Sequence, residues 1–344
     1  MLLIFLTTIR AELGKTQYKK LTFPNTFNST ENFTVSFCSF YNLFNNEAGG
    51  SIHIEKRSNL IEVSKCIIWN STSLGRGGAI CALVFDLKIS ANCFGMCVGG
   101  KTNGCDGSTI YAETDKGTTL HEMNSYQSCP DHSRTTWYGL CIFWHNNQTS
   151  LDINVSHSTV DYSAGLAHGN SKNLKIRRYI AVDERKGAAL SFSYQQKTVG
   201  DAKFGVFANN SCSQGIIYLQ GADAVVKNFT FYRNSGRILS EIQGGGCFLY
   251  NCVFDSPKFS FDNVVRTGVG LVFDQTVVNL TIPGFRGVDC EKVGNVAFVA
   301  GDFHVLLISV FVFVFVVGTA CAVGQLVYFA KSKQVTMYTT LRTK

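Results

Sequence analysis

Apolar and polar residues alternate in short runs along most of this chain. Between residues 30 and 300, runs rich in Phe, Val and Ile are bounded by Gly, Asn and Ser, and no long stretch follows the 3.6-residue period of an amphipathic helix. Short apolar runs separated by turn-forming residues are typical of β-strands. The pattern therefore predicts an all-β domain.

A repeat organises these runs. Three segments, Gly49–Ile52, Gly77–Ile80 and Gly107–Ile110, place their isoleucines 28 and then 30 residues apart, and a cysteine precedes each segment. Weaker copies continue at intervals of about 22 to 27 residues, with apolar residues at Leu166, Leu190, Ile217 and Leu239, whereas residues 111–140 break the rhythm. A period of this length indicates a stack of similar units.

A coil of about 25 residues can hold three short strands and three turns, and stacked coils pair each strand with its equivalent in the next coil. We therefore predict a right-handed parallel β-helix, a solenoid of the pectin-lyase-like type, over residues 12–302. Ile52, Ile80 and Ile110 are expected to point into one lumen. A β-sandwich would share the Gly-rich, helix-free composition and remains the alternative.

A transmembrane helix is predicted over residues 303–330. The 19 residues Val305–Val323 carry no charge. At about 1.5 Å per residue they would form a helix of roughly 28 Å, close to the thickness of a bilayer core. The only charges in the 14-residue tail, 331–344, are basic, at Lys331, Lys333, Arg342 and Lys344. Cytosolic flanks retain such residues, so the C-terminus is expected inside.

The N-terminal domain is accordingly expected outside the plasma membrane, behind a short signal peptide at residues 1–11. Asn-X-Ser/Thr acceptors for N-glycosylation all precede the predicted span: Asn28, Asn32, Asn70, Asn147, Asn154, Asn209, Asn228 and Asn279. The signal peptide is short and lacks a positive start. A C-terminal tail anchor, with the domain in the cytosol, is therefore the alternative topology.

Cysteine usage agrees with an oxidising compartment. Twelve of the thirteen cysteines lie outside the predicted span, an even number. We interpret Cys93, Cys97, Cys105 and Cys129 as a disulfide cluster, with a structural zinc site as the alternative, and Cys247 and Cys252 as a second pair. No Cys-X2-Cys or His-Glu-X-X-His motif supports a metal site, so neither metal nor cofactor is predicted.

Charge and motifs exclude some functions. The tail supplies four of the seven net positive charges, and no basic run resembles a nucleic-acid-binding segment, so no nucleic-acid partner is expected. Residues 95–102 match the phosphate-binding pattern Gly-X4-Gly-Lys-Thr. That motif requires a helix directly after it, and the following Asn103–Gly107 disfavours one. The match is interpreted as coincidence.

Some β-helix proteins cleave polysaccharides with carboxylates that converge on one exposed face. The acidic candidates do not recur at the coil spacing and are interpreted as surface charges: Asp152, Asp161, Asp183, Glu184 and Asp223. A non-enzymatic protein is predicted. The alternative is a membrane-anchored polysaccharide lyase or glycoside hydrolase of the β-helix class.

Gly77–Ile80 and four Phe-X-X-Asn elements, at Phe143, Phe207, Phe231 and Phe248, resemble the paired motifs of the polymorphic outer-membrane-protein type of β-helix. The combination with one membrane span is similar to surface proteins of trichomonad protists, and it departs from the bacterial pattern, which lacks such a helix. The resemblance implies surface display and adhesion to host cells or matrix.

The tail contains one further candidate motif. Tyr338-Thr339-Thr340-Leu341 matches Tyr-X-X-large apolar, a peptide that cytosolic sorting adaptors bind in extended form. Tyr338 and Leu341 are therefore predicted sorting residues, with membrane lipid around residues 303–330 as the other partner of this region.

Overall fold

The computed structural model describes residues 9–10, 25–27, 32–36, 38–100, 107–114, 116–129, 139–161, 165–193, 199–256, 265–274, 280–288 and 290. They belong to one compact unit, Met1–Cys290. The predicted span 303–330, the tail 331–344, and Asn28 and Asn279 lie outside these ranges. Within the part of the chain that is described, no helix has the length and apolar character needed to cross a membrane.

The fold is an all-β parallel solenoid of the right-handed type, as predicted from the repeat. The strands are β1 (Ile9–Arg10), β2 (Asn25–Phe27), β3 (Phe33–Ser36), β4 (Ser39–Tyr41), β5 (Phe44–Asn45), β6 (Ile52–Ser64), β7 (Ile67–Trp69), β8 (Thr72–Ser73), β9 (Ile80–Ser90), β10 (Cys93–Gly95), β11 (Ile110–Thr114), β12 (Thr118–Glu122), β13 (Ser125–Gln127), β14 (Cys141–Ser156), β15 (Thr159–Val160), β16 (Leu166–Val182), β17 (Arg185–Lys186), β18 (Leu190–Ser193), β19 (Gly200–Ala208), β20 (Ser211–Cys212), β21 (Ile217–Gln220), β22 (Asp223–Tyr232), β23 (Ser235–Gly236), β24 (Leu239–Ile242), β25 (Gly246–Tyr250), β26 (Val253–Phe254) and β27 (Val265–Val269). In the described residues the strand pairs between successive coils are parallel, which rules out the β-sandwich alternative for this part of the chain.

The strands stack in three main columns, which we call A, B and C in chain order. Column A runs from β2 through β6, β9, β11, β14, β16, β18 and β21 to β24. Column B runs from β3 to β27, and column C from β4 to β26. Long strands such as β14 and β16 pass through all three columns.

The predicted isoleucine ladder is confirmed in column A. Ile80 pairs in register with Ile52 on one side and Ile110 on the other, and all three side chains are buried in the lumen. The preceding glycines Gly49 and Gly77 both have φ of +65°. A Cβ on Gly77 would collide with the carbonyl oxygen of Ile80, so the motif needs glycine for the turn into the strand.

Column C contributes an aromatic stack to the lumen. The rings of Phe94 and Tyr126 lie 4.8 Å apart and nearly parallel, and Phe231 stacks on Phe254 at the same distance. Phe207 and Phe231, from two Phe-X-X-Asn elements, pair in register. The other two elements differ, because Phe143 lies in column A and Phe248 in column B. The motif therefore does not mark one position in the coil.

A C-terminal segment crosses the outside of column C. Residues 280–288 and Cys290, which we call the strap, are tied to β10 by a Cys93–Cys290 disulfide with a Cα–Cα distance of 5.4 Å. Near the other end of the strap, Ile282 packs with Val206 and Ala208 of β19. The strap therefore spans several coils and covers part of an outward sheet face.

The cysteine pairing differs from the predicted clusters. Cys93 bonds to the strap rather than to its sequence neighbours, and Cys97 and Cys129 remain buried thiols. Cys247 and Cys252 are also thiols, whereas Cys105 lies outside the described residues. Outward Cys93 finds its partner across the sheet face, while the thiols point into the lumen and reach only equivalent positions of neighbouring coils.

A candidate ligand-binding surface on column B

Four cations gather on the outer face of column B, where the coils from β16 to β22 stack. Arg177 pairs in register with Lys203, and Lys203 with Lys227. In-register residues of neighbouring parallel strands are about 4.8 Å apart. Lys175 lies two residues before Arg177, on the same outward face, and is exposed. We call Lys175, Arg177, Lys203 and Lys227 the basic ladder.

One carboxylate lies among these cations. Asp201 pairs in register with Lys175, and its Oδ2 lies 2.5 Å from Nη2 of Arg177 and 3.5 Å from Nζ of Lys203. Nη1 of Arg177 also donates to the Asp201 carbonyl oxygen at 2.9 Å. Asp201 thus orients two cations. It cannot neutralise the whole ladder, which retains a positive surplus.

An aromatic ring and an exposed phenylalanine border the ladder. Nζ of Lys227 lies 5.0 Å from the ring centroid of Tyr250, which continues the stack in the next coil. Phe204 follows Lys203 at the corner between columns B and C, with φ of +62° and 42% of its surface exposed. The surface therefore combines cations with aromatic side chains, which suits a ligand that carries anionic groups and also has apolar surface.

The same column carries an ion pair on earlier coils. Glu62 and Lys88 pair in register, and Nζ of Lys88 lies 2.9 Å from Oε1 of Glu62. The hydrogen bond to Glu62 raises the pKa of Lys88. Like charges that face each other across strands are destabilising by some tenths of a kcal/mol. The run of Arg177, Lys203 and Lys227 therefore stacks like charges in register, and Asp201 is the carboxylate that lies between the first two.

Two of the five acidic candidates, Asp152 and Glu184, are buried, which contradicts their interpretation as surface charges. Asp152 is only 1% exposed, and its carboxylate accepts hydrogen bonds from Nε and Nη2 of Arg178 at 2.5 and 2.8 Å. Arg286 of the strap adds its backbone amide at 3.3 Å. This carboxylate is enclosed by arginines because the strap closes over the corner at Asp152.

Glu184 is fully buried in the lumen. Its Oε1 accepts from the Ser158 amide at 3.4 Å, and its Oε2 has no hydrogen-bond partner. Burial raises the pKa of Glu184 well above its usual value, with a smaller contribution from Asp183. A carboxyl group in this position does not face a ligand on the outer surface.

The other three acids lie on the outside, as expected. Asp161 pairs with Lys186 at 3.1 Å, Asp183 pairs with Arg185 at 3.4 Å, and Asp223 is exposed at the start of β22. The first two belong to the turn after column C, and Asp223 to column B. The coil spacing therefore does not stack the five candidates on one face.

A chain of polar side chains inside the lumen resembles a catalytic relay in composition. His121 contacts the Tyr126 hydroxyl at 2.6 Å and Ser150 Oγ at 3.4 Å, and His168 contacts Ser150 at 3.5 Å and Gln148 at 2.7 Å. Burial lowers the pKa of both histidines to about 3. Both histidines are buried, so we assign the relay to the core.

The phosphate-loop match does not have the required local structure in its described part. Gly95 ends strand β10, and Val98 forms a parallel bridge with Thr72, so residues 95–100 continue the solenoid wall. Lys101 and Thr102 lie outside the described residues. The described part of the match is therefore strand and solenoid wall rather than a loop whose amides surround a phosphate.

Six predicted glycosylation sites fall within the described residues. Asn32, Asn147, Asn209 and Asn228 are exposed, and Asn70 and Asn154 are partly buried. The amide nitrogen of Asn70 donates to Asn42 at 2.7 Å, while Oδ1 of Asn147 accepts from Asn173. Asn209 and Asn228 lie at corners with φ of +55° and +57°, where the side chain leaves the sheet surface.

Sequence inspection missed the basic ladder. Arg177, Lys203 and Lys227 are separated by 26 and 24 residues, so no short window of the sequence contains all three. Those intervals equal the coil length, and a search for charges at that spacing would have found them.

No protein family, curated protein or solved structure matches this chain. The parallel solenoid agrees with the fold that the resemblance to polymorphic outer-membrane-protein β-helices implies. Membership of the trichomonad surface-protein type stays a prediction.

Proposed function

We propose that this protein is a single-pass cell-surface glycoprotein whose β-solenoid binds an anionic polysaccharide of a host cell or matrix through the basic ladder. It acts as an adhesion or ligand-binding module rather than as an enzyme. The observation that carries this proposal is the in-register stack of Arg177, Lys203 and Lys227 on an otherwise nearly charge-balanced domain.

The geometry of the ladder favours a linear polyanion. Cations that repeat along the solenoid axis can contact successive anionic groups of one chain, and each exposed contact contributes up to about 1 kcal/mol. Several such contacts add up only for a ligand that reaches all of them. Sulfated or carboxylated polysaccharides have this form, and their sugar rings can also pack against Tyr250 and Phe204.

A binding measurement with heparin as the probe tests the proposal. Cells displaying the full chain should bind fluorescent heparin, and binding should weaken as salt is raised. Replacing Lys203 and Lys227 by Gln should reduce affinity by roughly tenfold, from two contacts of up to about 1 kcal/mol each. The assay should record surface display of each variant with an N-terminal epitope tag.

A charge-matched control separates the ladder from net charge. Lys65 and Lys116 are exposed cations on earlier coils, and replacing both by Gln removes the same charge without touching the ladder. This variant should bind heparin as the unchanged protein does. Equal loss in both double variants would show that binding follows net charge, and the assignment of the site would be wrong.

Topology and catalysis need separate measurements. Protease added to intact cells should remove the N-terminal domain while a tag after Lys344 stays protected, and glycosidase treatment should shift the gel mobility. A protected domain without glycans would favour the tail anchor. Release of reducing ends from a polysaccharide panel, abolished by Asp161→Asn, Asp183→Asn or Asp223→Asn, would support the enzyme alternative instead.

A further inference from the structure

Two pairs of buried cysteines occupy equivalent positions on neighbouring coils. Gly95 pairs in register with Gln127, and Cys97 and Cys129 each follow two residues later. Both are preceded by a residue in the left-handed region, Met96 at +53° and Ser128 at +51°. The chain therefore turns identically at both places, and the two cysteines enter the lumen one above the other.

Hydrogen bonding confirms this stacking. The Cys97 amide donates to Sγ of Cys129 at 3.3 Å, and both side chains are fully buried. The same relation continues along this corner of the solenoid: the Cys129 amide donates to Ser158 Oγ, and the Glu184 amide to Asn210 Oδ1. At this corner, the side chain on each coil accepts a hydrogen bond from the backbone amide of the equivalent residue on the preceding coil. Sγ of Cys129 therefore lies next to Cys97.

The second pair lies at the preceding corner. Ser39 pairs in register with Ile67, and Cys38 and Cys66 directly precede these residues. Cys66 Sγ contacts the Val35 carbonyl oxygen of the coil that carries Cys38, at 3.6 Å. In-register residues of parallel strands are about 4.8 Å apart, inside the Cα–Cα range of roughly 4.4 to 6.8 Å that disulfides span.

We propose that Cys97 with Cys129, and Cys38 with Cys66, are sites of oxidative modification that form disulfides between adjacent coils. In each reaction the two thiols react with one small-molecule disulfide such as oxidised glutathione. One sulfur–sulfur bond forms in the protein, the bond in glutathione disulfide breaks, and the two protons end on two glutathione thiols. Each bond staples one coil to the next.

Burial sets the order of events. Thiol–disulfide exchange requires a thiolate that the oxidant can reach. Burial raises the pKa of Cys66 and of Cys97 well above the usual value, whereas at Cys129 the effect of burial is outweighed by hydrogen bonds with Cys97, which lower its pKa. Both pairs are also closed to a bulky oxidant once the coils have stacked. The bonds therefore form while the chain folds, and the folded, reduced protein resists oxidation at these positions.

The chain offers two matched controls. Cys212 is buried at a similar place in the wall, but Lys186 and Gly236 occupy its in-register positions on the adjacent coils. His53 and Tyr111 occupy the in-register positions on either side of Cys81. In the described strands, neither Cys212 nor Cys81 has a cysteine in register on an adjacent coil, so we expect both to remain thiols.

The test is disulfide mapping of the full chain by mass spectrometry, after refolding in detergent with reduced and oxidised glutathione and alkylation of remaining thiols. We expect peptides that link Cys97 to Cys129 and Cys38 to Cys66, each lighter by the mass of two hydrogen atoms, with Cys81 and Cys212 alkylated. Oxidised glutathione added after refolding under reducing conditions should produce at least tenfold less of both linked peptides.

Other pairings would overturn the proposal: a Cys129–Cys141 or Cys105–Cys129 peptide in place of Cys97–Cys129, or complete alkylation of the four cysteines after oxidative refolding. The variant Cys97→Ser should leave Cys129 alkylated while Cys38 stays linked to Cys66. The glutathione is supplied in the tube, so the outcome does not depend on the proposed surface location or on polysaccharide binding.

Discussion

Ile80→Asp tests the stacked core most directly. Ile80 has no exposed surface and lies between Ile52 and Ile110 in the ladder. Removing a buried aliphatic side chain of this size costs about 2 to 5 kcal/mol. The new carboxyl group adds several kcal/mol because no partner lies in this apolar stack, and it would remain protonated to avoid the larger penalty for a buried charge.

The summed loss approaches the total stability of a typical domain, about 5 to 15 kcal/mol. Urea unfolding of the full chain in detergent, followed by tryptophan fluorescence, should therefore show Ile80→Asp unfolded or close to its midpoint without urea. Because the carboxyl pKa is raised in the folded state, the loss should be smaller near pH 4 and should grow as pH rises toward 7.

Two substitutions make this result interpretable. Ile80→Val removes one methylene group and should cost only about 0.5 to 1.5 kcal/mol. Leu60→Asp places the same carboxylate on an outward position that is 38% exposed, where an effect within about 1 kcal/mol is expected. If Ile80→Asp unfolds at the same urea concentration as Leu60→Asp, the residue does not lie in a packed lumen and the reasoning fails.

Three further predictions concern buried ionisable groups. Glu184→Gln should stabilise the protein by about 1 to 3 kcal/mol at pH 8 and little at pH 4, because the raised pKa of Glu184 means that the unchanged protein loses stability as pH rises. Equal urea midpoints of the variant and the unchanged protein at pH 8 would contradict this. His121 and His168, with pKa values of about 3, should each remove about 1.4 kcal/mol of stability per pH unit as pH falls below 6.5, and His168→Gln should flatten the measured pH dependence. Arg178→Met should lower the free energy of unfolding by about 3 to 5 kcal/mol, since it leaves buried Asp152 without its closest partner. Arg286→Met, at a side chain 71% exposed, should lower it by under about 1 kcal/mol. The reverse order would refute the assignment of Arg178 as the main partner of Asp152.

Much of the fold follows from sequence spacing because a solenoid repeats locally. Ile52, Ile80 and Ile110 recur at one coil length, and Leu166, Leu190 and Ile217 continue the same register. Strand residues alternate between two faces, so the repeated apolar position must be the inner one. The glycine ahead of Ile80 is likewise predictable, because only glycine avoids the clash in that turn.

The tertiary structure decided what depends on contacts between distant coils. The sequence around Asp152 predicts a surface charge, whereas its burial results from Arg178, one coil away, and Arg286, in the strap. Likewise, Cys93 bonds to a residue 197 positions away, which no spacing rule indicates.

The candidate binding surface shows the same division. Each of Arg177, Lys203 and Lys227 looks like an ordinary solvated cation in the sequence, and local propensity places no two of them together. Coil stacking brings them to one face in consecutive register. The period along the chain thus determined that a lumen exists and which residues fill it. The charge pattern of the outer surface depends on how coils of unequal length are set in register, because that register decides which outward side chains become neighbours.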